Sequence, residues 1–136
     1  MAASYRALVT EDPRRRIGRR GEEIAARALE RLGYRIVDRN FRTREGELDL
    51  VAARGGTLVF CEVKALVARP GGPGRGPASP LEAVGPAKRV QVRRLARAWL
   101  AARDRRTARE LRFDVVGVTL SSDGETLRVD HLQNAF

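Results

Sequence analysis

The stretch GELDLVAARGGTLVFCEVK, residues 46–64, decides how this 136-residue chain folds. Two apolar runs, Glu47 to Ala53 and Thr57 to Lys64, flank the pair Gly55-Gly56. Adjacent glycines between two such runs predict a two-residue hairpin bend, because those bends demand positive φ. With Arg54 paired to Thr57, Asp49 falls opposite Glu62 and Glu47 opposite Lys64. Side chains on a strand alternate between faces. Glu47, Asp49, Glu62 and Lys64 are therefore expected on one face, and Leu48, Leu50, Cys61 and Val63 on the other.

That arrangement needs a reason. Like charges facing across strands are destabilising, and burying a charge costs several kcal/mol unless it is paired or bound to a metal. A divalent cation between Asp49 and Glu62 turns the repulsion into a binding site. Mg²⁺ prefers oxygen ligands and commonly takes one or two carboxylates, with phosphate and water completing its shell. Such an ion lowers the pKa of bound water and stabilises charge on a transferring phosphoryl group. Lys64, two residues from Glu62, can reach the same phosphate or the attacking water. A simple surface ladder with a Glu47–Lys64 ion pair is the plainer alternative, but it gives no reason to set Asp49 against Glu62.

Outward from the hairpin, Arg14 to Leu32 reads as a helix. Ile17, Gly21, Ile24, Ala25, Ala28 and Leu32 form its buried stripe, and Gly33 ends it. On the helical wheel Glu22 lies at the margin of that stripe, while Glu23 points to water. YRIVDRNF, residues 34–41, reads as a first strand, RFDVVGVTL (112–120) as a fourth and ETLRVDHL (125–132) as a fifth, with SSDG as the intervening turn. Ala87 to Ala102 reads as a second helix with Val92, Leu95, Ala96 and Trp99 on one face and Lys88 on the same inward stripe. Residues 66–86 hold seven glycines or prolines between Gly71 and Pro80, which predicts a long flexible loop. Residues 1–13 read as an irregular lead-in to a single domain, 14–136. The order is α-β-β-β-α-β-β, an α/β mixed central sheet flanked by helices. The crossover from the third to the fourth strand makes those two parallel.

The net charge is +10, from 27 basic and 17 acidic residues, which favours a polyanionic partner, most simply nucleic acid. Of the basic residues 25 are arginine; the only lysines are Lys64 and Lys88. Lysine is a compact ammonium whose pKa shifts readily on burial, where arginine needs room for a planar fork. Its retention at these two positions marks them as special. Lys88 and Gln91 open the second helix, where a helix N-terminus favours phosphate. With Arg19, Arg20, Arg89 and Arg93 they are the expected nucleic-acid contacts, and the run from Arg103 to Arg109 is a further basic patch. The single cysteine, Cys61, excludes an internal disulfide framework and a multi-cysteine zinc site. No apolar run reaches the roughly 18–20 residues that span a bilayer, and no secretory signal is evident, so a cytoplasmic protein without membrane association is expected. His131, Asp114 and Trp99 read as structural rather than catalytic, with Asp114 a cap or a partner of Arg112.

Asp49 followed by Glu62-Val63-Lys64 matches the D…(D/E)xK arrangement of the PD-(D/E)xK nuclease superfamily. A longer pattern runs through GRRGEEIAARAL with Gly18, Gly21 and Glu22, RNFR with Asn40, GELDLV, FCEVKA, Lys88, RFDVV and the terminal HLQNAF. Over residues 14–136 the chain closely resembles the YraN family of bacterial proteins. The resemblance implies a restriction-endonuclease-like fold, similar in arrangement to archaeal Holliday-junction resolvases. It implies Mg²⁺ or Mn²⁺ held by Asp49, Glu62 and Glu22, with Lys64 completing the catalytic set, and cleavage of DNA phosphodiesters in branched or processing intermediates. A homodimer is implied as well, because junction cutting needs two active sites. One departure stands out: the family continues ExK with a small polar residue and an arginine, where this chain has Ala65-Leu66, so no phosphate contact is expected from position 66. The alternative to an endonuclease is a non-catalytic nucleic-acid-binding module, or an adaptor for a protein partner in a DNA-processing assembly.

Overall fold

The Gly55-Gly56 bend forms where the sequence places it. In the computed structural model, which describes residues 11–68, 84–103 and 108–136, Gly55 has φ +59°. The strands on either side pair from Arg54↔Thr57 back to Leu50↔Cys61, the register expected from the bend. We label these strands β2 (Gly46–Arg54) and β3 (Thr57–Val67).

Around this hairpin stand helix α1 (Pro13–Arg31), strand β1 (Arg35–Thr43), helix α2 (Pro86–Ala102), and strands β4 (Glu110–Leu120) and β5 (Thr126–Leu132). The element order is the predicted one, and the five strands lie in the sheet in chain order. β3 and β4 are parallel, as the helical crossover requires; the other neighbours are antiparallel.

α1 starts at Asp12, whose carboxylate accepts the Arg14 N–H at 3.0 Å, with Pro13 in the first turn. It packs Ala25, Ala26 and Leu29 on Leu50, Ala52, Val59, Cys61, Val116, Val118 and Leu120. Leu32, expected in the stripe, is 52% exposed. It lies one residue past the helix, where Gly33 (φ +89°) reverses the chain, so the helical period no longer governs it. On the other face α2 seats Val92, Leu95, Ala96 and Trp99 on Leu48, Val51, Leu58 and Phe60, all four helix residues as predicted. Each fully buried side chain of this kind contributes roughly 1.5–3 kcal/mol.

Two close approaches fix the helices against the sheet. A Cβ on Gly21 would lie 2.6 Å from the Ala65 Cβ, so α1 approaches β3 this closely only because a glycine faces an alanine. On the opposite face the Gln91 amide donates to the Glu45 carbonyl and fills the space a side chain on Gly46 (φ +139°) would need. β3 runs three residues beyond Lys64 because Leu66 and Val67 pair with Thr119 and Leu120. The predicted loop therefore begins after the strand, and its residues 69–83 lie outside the described residues, as do 1–10 of the lead-in and 104–107 of the basic run.

Candidate metal centre

The alternation of side chains slips by one residue at the carboxylates. Leu50 and Ala52 face α1, yet Leu48 faces α2 beside Val51. On β1 the same change separates Arg39, paired with Leu50, from Phe41, paired with Leu48 and packed on the α2 side. Between them stands Asn40, at φ +53° in the left-handed region. A left-handed residue turns the strand and reverses the phase of everything after it. The expectation of four ionisable groups on one face and Leu48 on the other is corrected accordingly. Glu47 pairs with Arg42 (2.8 Å) on the α1 side, while Lys64 turns to Glu62 on the α2 side.

Asp49 stands at the junction of the two groups. The regular β2–β3 ladder ends at Leu50↔Cys61, and the Asp49 Oδ2 takes over by accepting the Val63 N–H at 2.8 Å. Carboxylate oxygens of Glu22, Glu47 and Asp49 lie within 4.8 Å of one another. Glu22 reaches this cluster from the α1 margin, held by a 3.1 Å hydrogen bond from Asn40 Nδ2. Glu62, 3% exposed and expected among the ligands, is not one of these three, but it lies near enough for its charge to act on Asp49 and Glu22. Its Oε1 is 3.4 Å from Lys88 Nζ and 3.6 Å from Lys64 Nζ. The two lysines of the chain thus converge on one carboxylate oxygen.

The electrostatics record the crowding. Burial, then the Glu62 charge, pushes the Asp49 carboxyl up to about 8, against the opposing Val63 hydrogen bond and the Lys88 charge. Burial, then Glu47 and Glu62, raises Glu22 as well. Among the described residues, two buried side-chain atoms lack a hydrogen-bond partner, Glu62 Oε2 and Asn40 Oδ1. Both are oxygens, and both belong to groups that border the cluster. Two unsatisfied acceptors with no donor facing them suit a hard cation with oxygen preference.

The other expected contacts are distributed differently. Lys88 turns inward to Glu62, as its stripe position predicts, and Gln91 braces the β1–β2 turn. Arg19 pairs with Glu11, Arg20 donates to the Gly124 carbonyl (2.7 Å) and Arg89 to the Val84 carbonyl (3.0 Å). Arg93 lies over the Phe113 ring at 5.6 Å. On the α1 side a cleft of about 590 Å³ is lined by Arg15, Arg19 and Arg42 together with Glu22, Asn40 and Glu47.

A second charged cluster was legible only in part: the Arg112–Asp114 pair is the expected one, while the His131 and Asn134 partners were not foreseen. Asp114, fully buried, accepts from Arg112 (2.9 Å) and from the Asn134 N–H (2.9 Å), and its Oδ2 lies 2.7 Å from His131 Nε2. Burial alone would raise this carboxyl, but the three partners outweigh it and hold it below the usual range. Every partner is internal, which fits the structural role expected of His131. Trp99 is likewise a core residue, its Nε1 donating to Asp38 at 2.8 Å.

Residues 21–118 match the model of the uncharacterised protein family UPF0102. A UPF0102 protein of Geobacter sulfurreducens is 47% identical over 120 residues, 88% of this chain and 88% of its own. One from Frankia casuarinae is 46% identical over 120 residues, 88% of this chain and 95% of its own. A third, from Nocardia farcinica, is 42% identical over 134 residues, 98% and 99% of the two chains. Among the described residues no helix is long and apolar enough to cross a membrane.

Proposed function

We propose, from the premise that this chain belongs to the UPF0102 family, also called YraN, that it is a divalent-cation-dependent hydrolase of nucleic-acid phosphodiesters on a restriction-endonuclease-like sheet. The observation that carries the reading is the partnerless Glu62 Oε2, buried beside the Glu22–Glu47–Asp49 cluster and accompanied by Asn40 Oδ1. A closed structural network satisfies its acceptors, as Asp114 does; this one leaves two oxygens without donors.

Asp49, Glu62 and Glu22 would hold Mg²⁺ or Mn²⁺, which when bound supplies an acidified water and charge stabilisation at phosphorus. Asp49 is anchored for this by the Val63 N–H, which fixes one oxygen and leaves the other for ligation. Lys64, about one-third exposed, is the amine placed to meet a phosphate entering from solvent, and Lys88 is comparably exposed. The basic surface steers the polyanion to the site.

The test is incubation of the purified protein with branched, flapped, single-stranded and duplex DNA, with Mg²⁺ or Mn²⁺. Cleavage that Glu62→Ala abolishes is expected; cleavage that survives this change removes the site from consideration. One observation favours a second reading. Leu66, 39% exposed, occupies the position where the resemblance calls for arginine. A binding module without cleavage predicts metal-independent, salt-sensitive association and no cut product on any substrate.

A further inference from the structure

We propose that Asn40 is a ligand residue of the cation site, its Oδ1 serving as a neutral oxygen donor alongside the carboxylates; this rests on the cation reading given above. Three observations converge on the residue. First, its Oδ1 is buried without a hydrogen-bond partner, as is Oε2 of the 3%-exposed Glu62. Second, its Nδ2 donates to Glu22 Oε2 at 3.1 Å, so the carboxamide is already tied to one carboxylate of the cluster. Third, its backbone sits at φ +53°, a conformation that costs a non-glycine residue free energy and persists only where the surroundings enforce it.

The placement gives the strain a purpose. Asn40 is the point where the strand phase reverses, between the pairs Arg39↔Leu50 and Phe41↔Leu48. It lines the cleft together with Glu22 and Glu47. Asparagine is among the few residues that tolerate the left-handed region and also carry a carbonyl oxygen. The chemistry of the donor set adds a fourth reason. Glu22, Glu47 and Asp49 already bring three carboxylates together, and the Glu62 charge acts on Asp49 as well. A neutral amide oxygen adds coordination without adding repulsion, and amide carbonyls are ordinary ligands for hard cations.

The experiment is Mn²⁺ titration of the full chain, with free ion read by electron paramagnetic resonance and no dependence on cleavage. Asn40→Gly accepts the positive φ without strain, so the fold is kept while the carboxamide is lost. It is expected to bind Mn²⁺ about tenfold more weakly, with an unfolding temperature no lower than wild type. Asn40→Asp keeps an oxygen at the same place and removes the donor to Glu22. Despite the repulsion the new charge adds, it is expected to bind Mn²⁺ clearly more tightly than Asn40→Gly. Asn40→Gly binding as tightly as wild type overturns the proposal. So does Asn40→Asp weakening as far as Asn40→Gly, since that confines Asn40 to orienting Glu22. A wild-type chain that takes up no Mn²⁺ overturns the cation reading itself, and this inference with it; the variant results leave that reading standing.

Discussion

Replacing Asp49 by asparagine is expected to stabilise the cation-free protein. The carboxyl is raised from 3.8 to about 8 by burial and by Glu62, so the folded state holds a proton that the unfolded chain gives up far earlier. The sign follows from linkage. A carboxyl whose folded pKa is raised disfavours folding increasingly as pH climbs from its unfolded value to its folded one, and the penalty is complete above about 8. At about pH 7 the gap is roughly three pH units above the unfolded value, or about 4 kcal/mol if Asp49 bore it alone. Glu62 and Glu22 share the same repulsion, so relief by one substitution is nearer to about 2 kcal/mol. Asparagine keeps an oxygen for the Val63 N–H, so the backbone tie survives.

For a chain of this length that is a rise of roughly 5–8 °C in unfolding temperature near neutral pH, vanishing below about pH 4. Thermal melts with and without Mn²⁺ supply the second half of the test. Wild type gains about 2.7 kcal/mol when free cation stands at a hundred times its dissociation constant; Asp49→Asn loses most of that gain. A variant that melts below wild type at about pH 8 without cation refutes the electrostatic account. One that responds to Mn²⁺ as wild type does refutes the assignment of the ligand.

Further expectations follow from the same geometry. Gly21→Ala drives a methyl to 2.6 Å from Ala65 Cβ; urea denaturation should show a loss of about 1–3 kcal/mol, and Mn²⁺ affinity should fall as Glu22 is lifted from the cluster. Asp114→Asn leaves Arg112 and His131 without their shared anion and should lose about 3–5 kcal/mol in the same assay. Because Asp114 is held below the usual carboxyl range, its contribution is present at neutral pH and is lost as pH falls through its folded value; acid unfolding of Asp114→Asn should lack that component. Lys88→Met removes one of two ammonium groups from Glu62 Oε1. Single-turnover cleavage should slow about tenfold or more, with no comparable fall in melting temperature.

Much of this architecture could be read from local signals. The double glycine set the hairpin register, and glycine at position 33 ended α1. Helical period identified the α2 face down to Trp99, and the helix between β3 and β4 dictated their parallel pairing. The face assigned to Leu48 was wrong for a reason no period-two reading contains. One left-handed residue on the neighbouring strand, Asn40, reverses the phase, and its effect reaches β2 only through the β1–β2 ladder. Asn40 carried a signal, since asparagine inside a strand is unfavourable, but nothing local says which side it turns. The Asp114–His131 contact joins residues seventeen apart through the pairing of Val116 with His131. It stays invisible until the last hairpin closes.

Ala65 meets Gly21 across the α1–β3 contact, and only a small side chain fits there. Alternation puts Leu66 on the face of Lys64 and away from Gly21. An arginine there would stand with two amines already converging on Glu62. The face that loses a guanidinium at position 66 therefore keeps both of the chain's lysines, one on β3 and one brought in by α2. The arginine would mainly extend that positive field outward along the strand. On the proposed reading, its absence would weaken the grip on a phosphate remote from the carboxylates more than it would alter the groups proposed to hold the cation. Leu66→Arg should accordingly tighten DNA binding at moderate salt and increase its salt dependence, while Mn²⁺ affinity stays within about twofold. A matching change in Mn²⁺ affinity would show that position 66 speaks to the carboxylate centre after all.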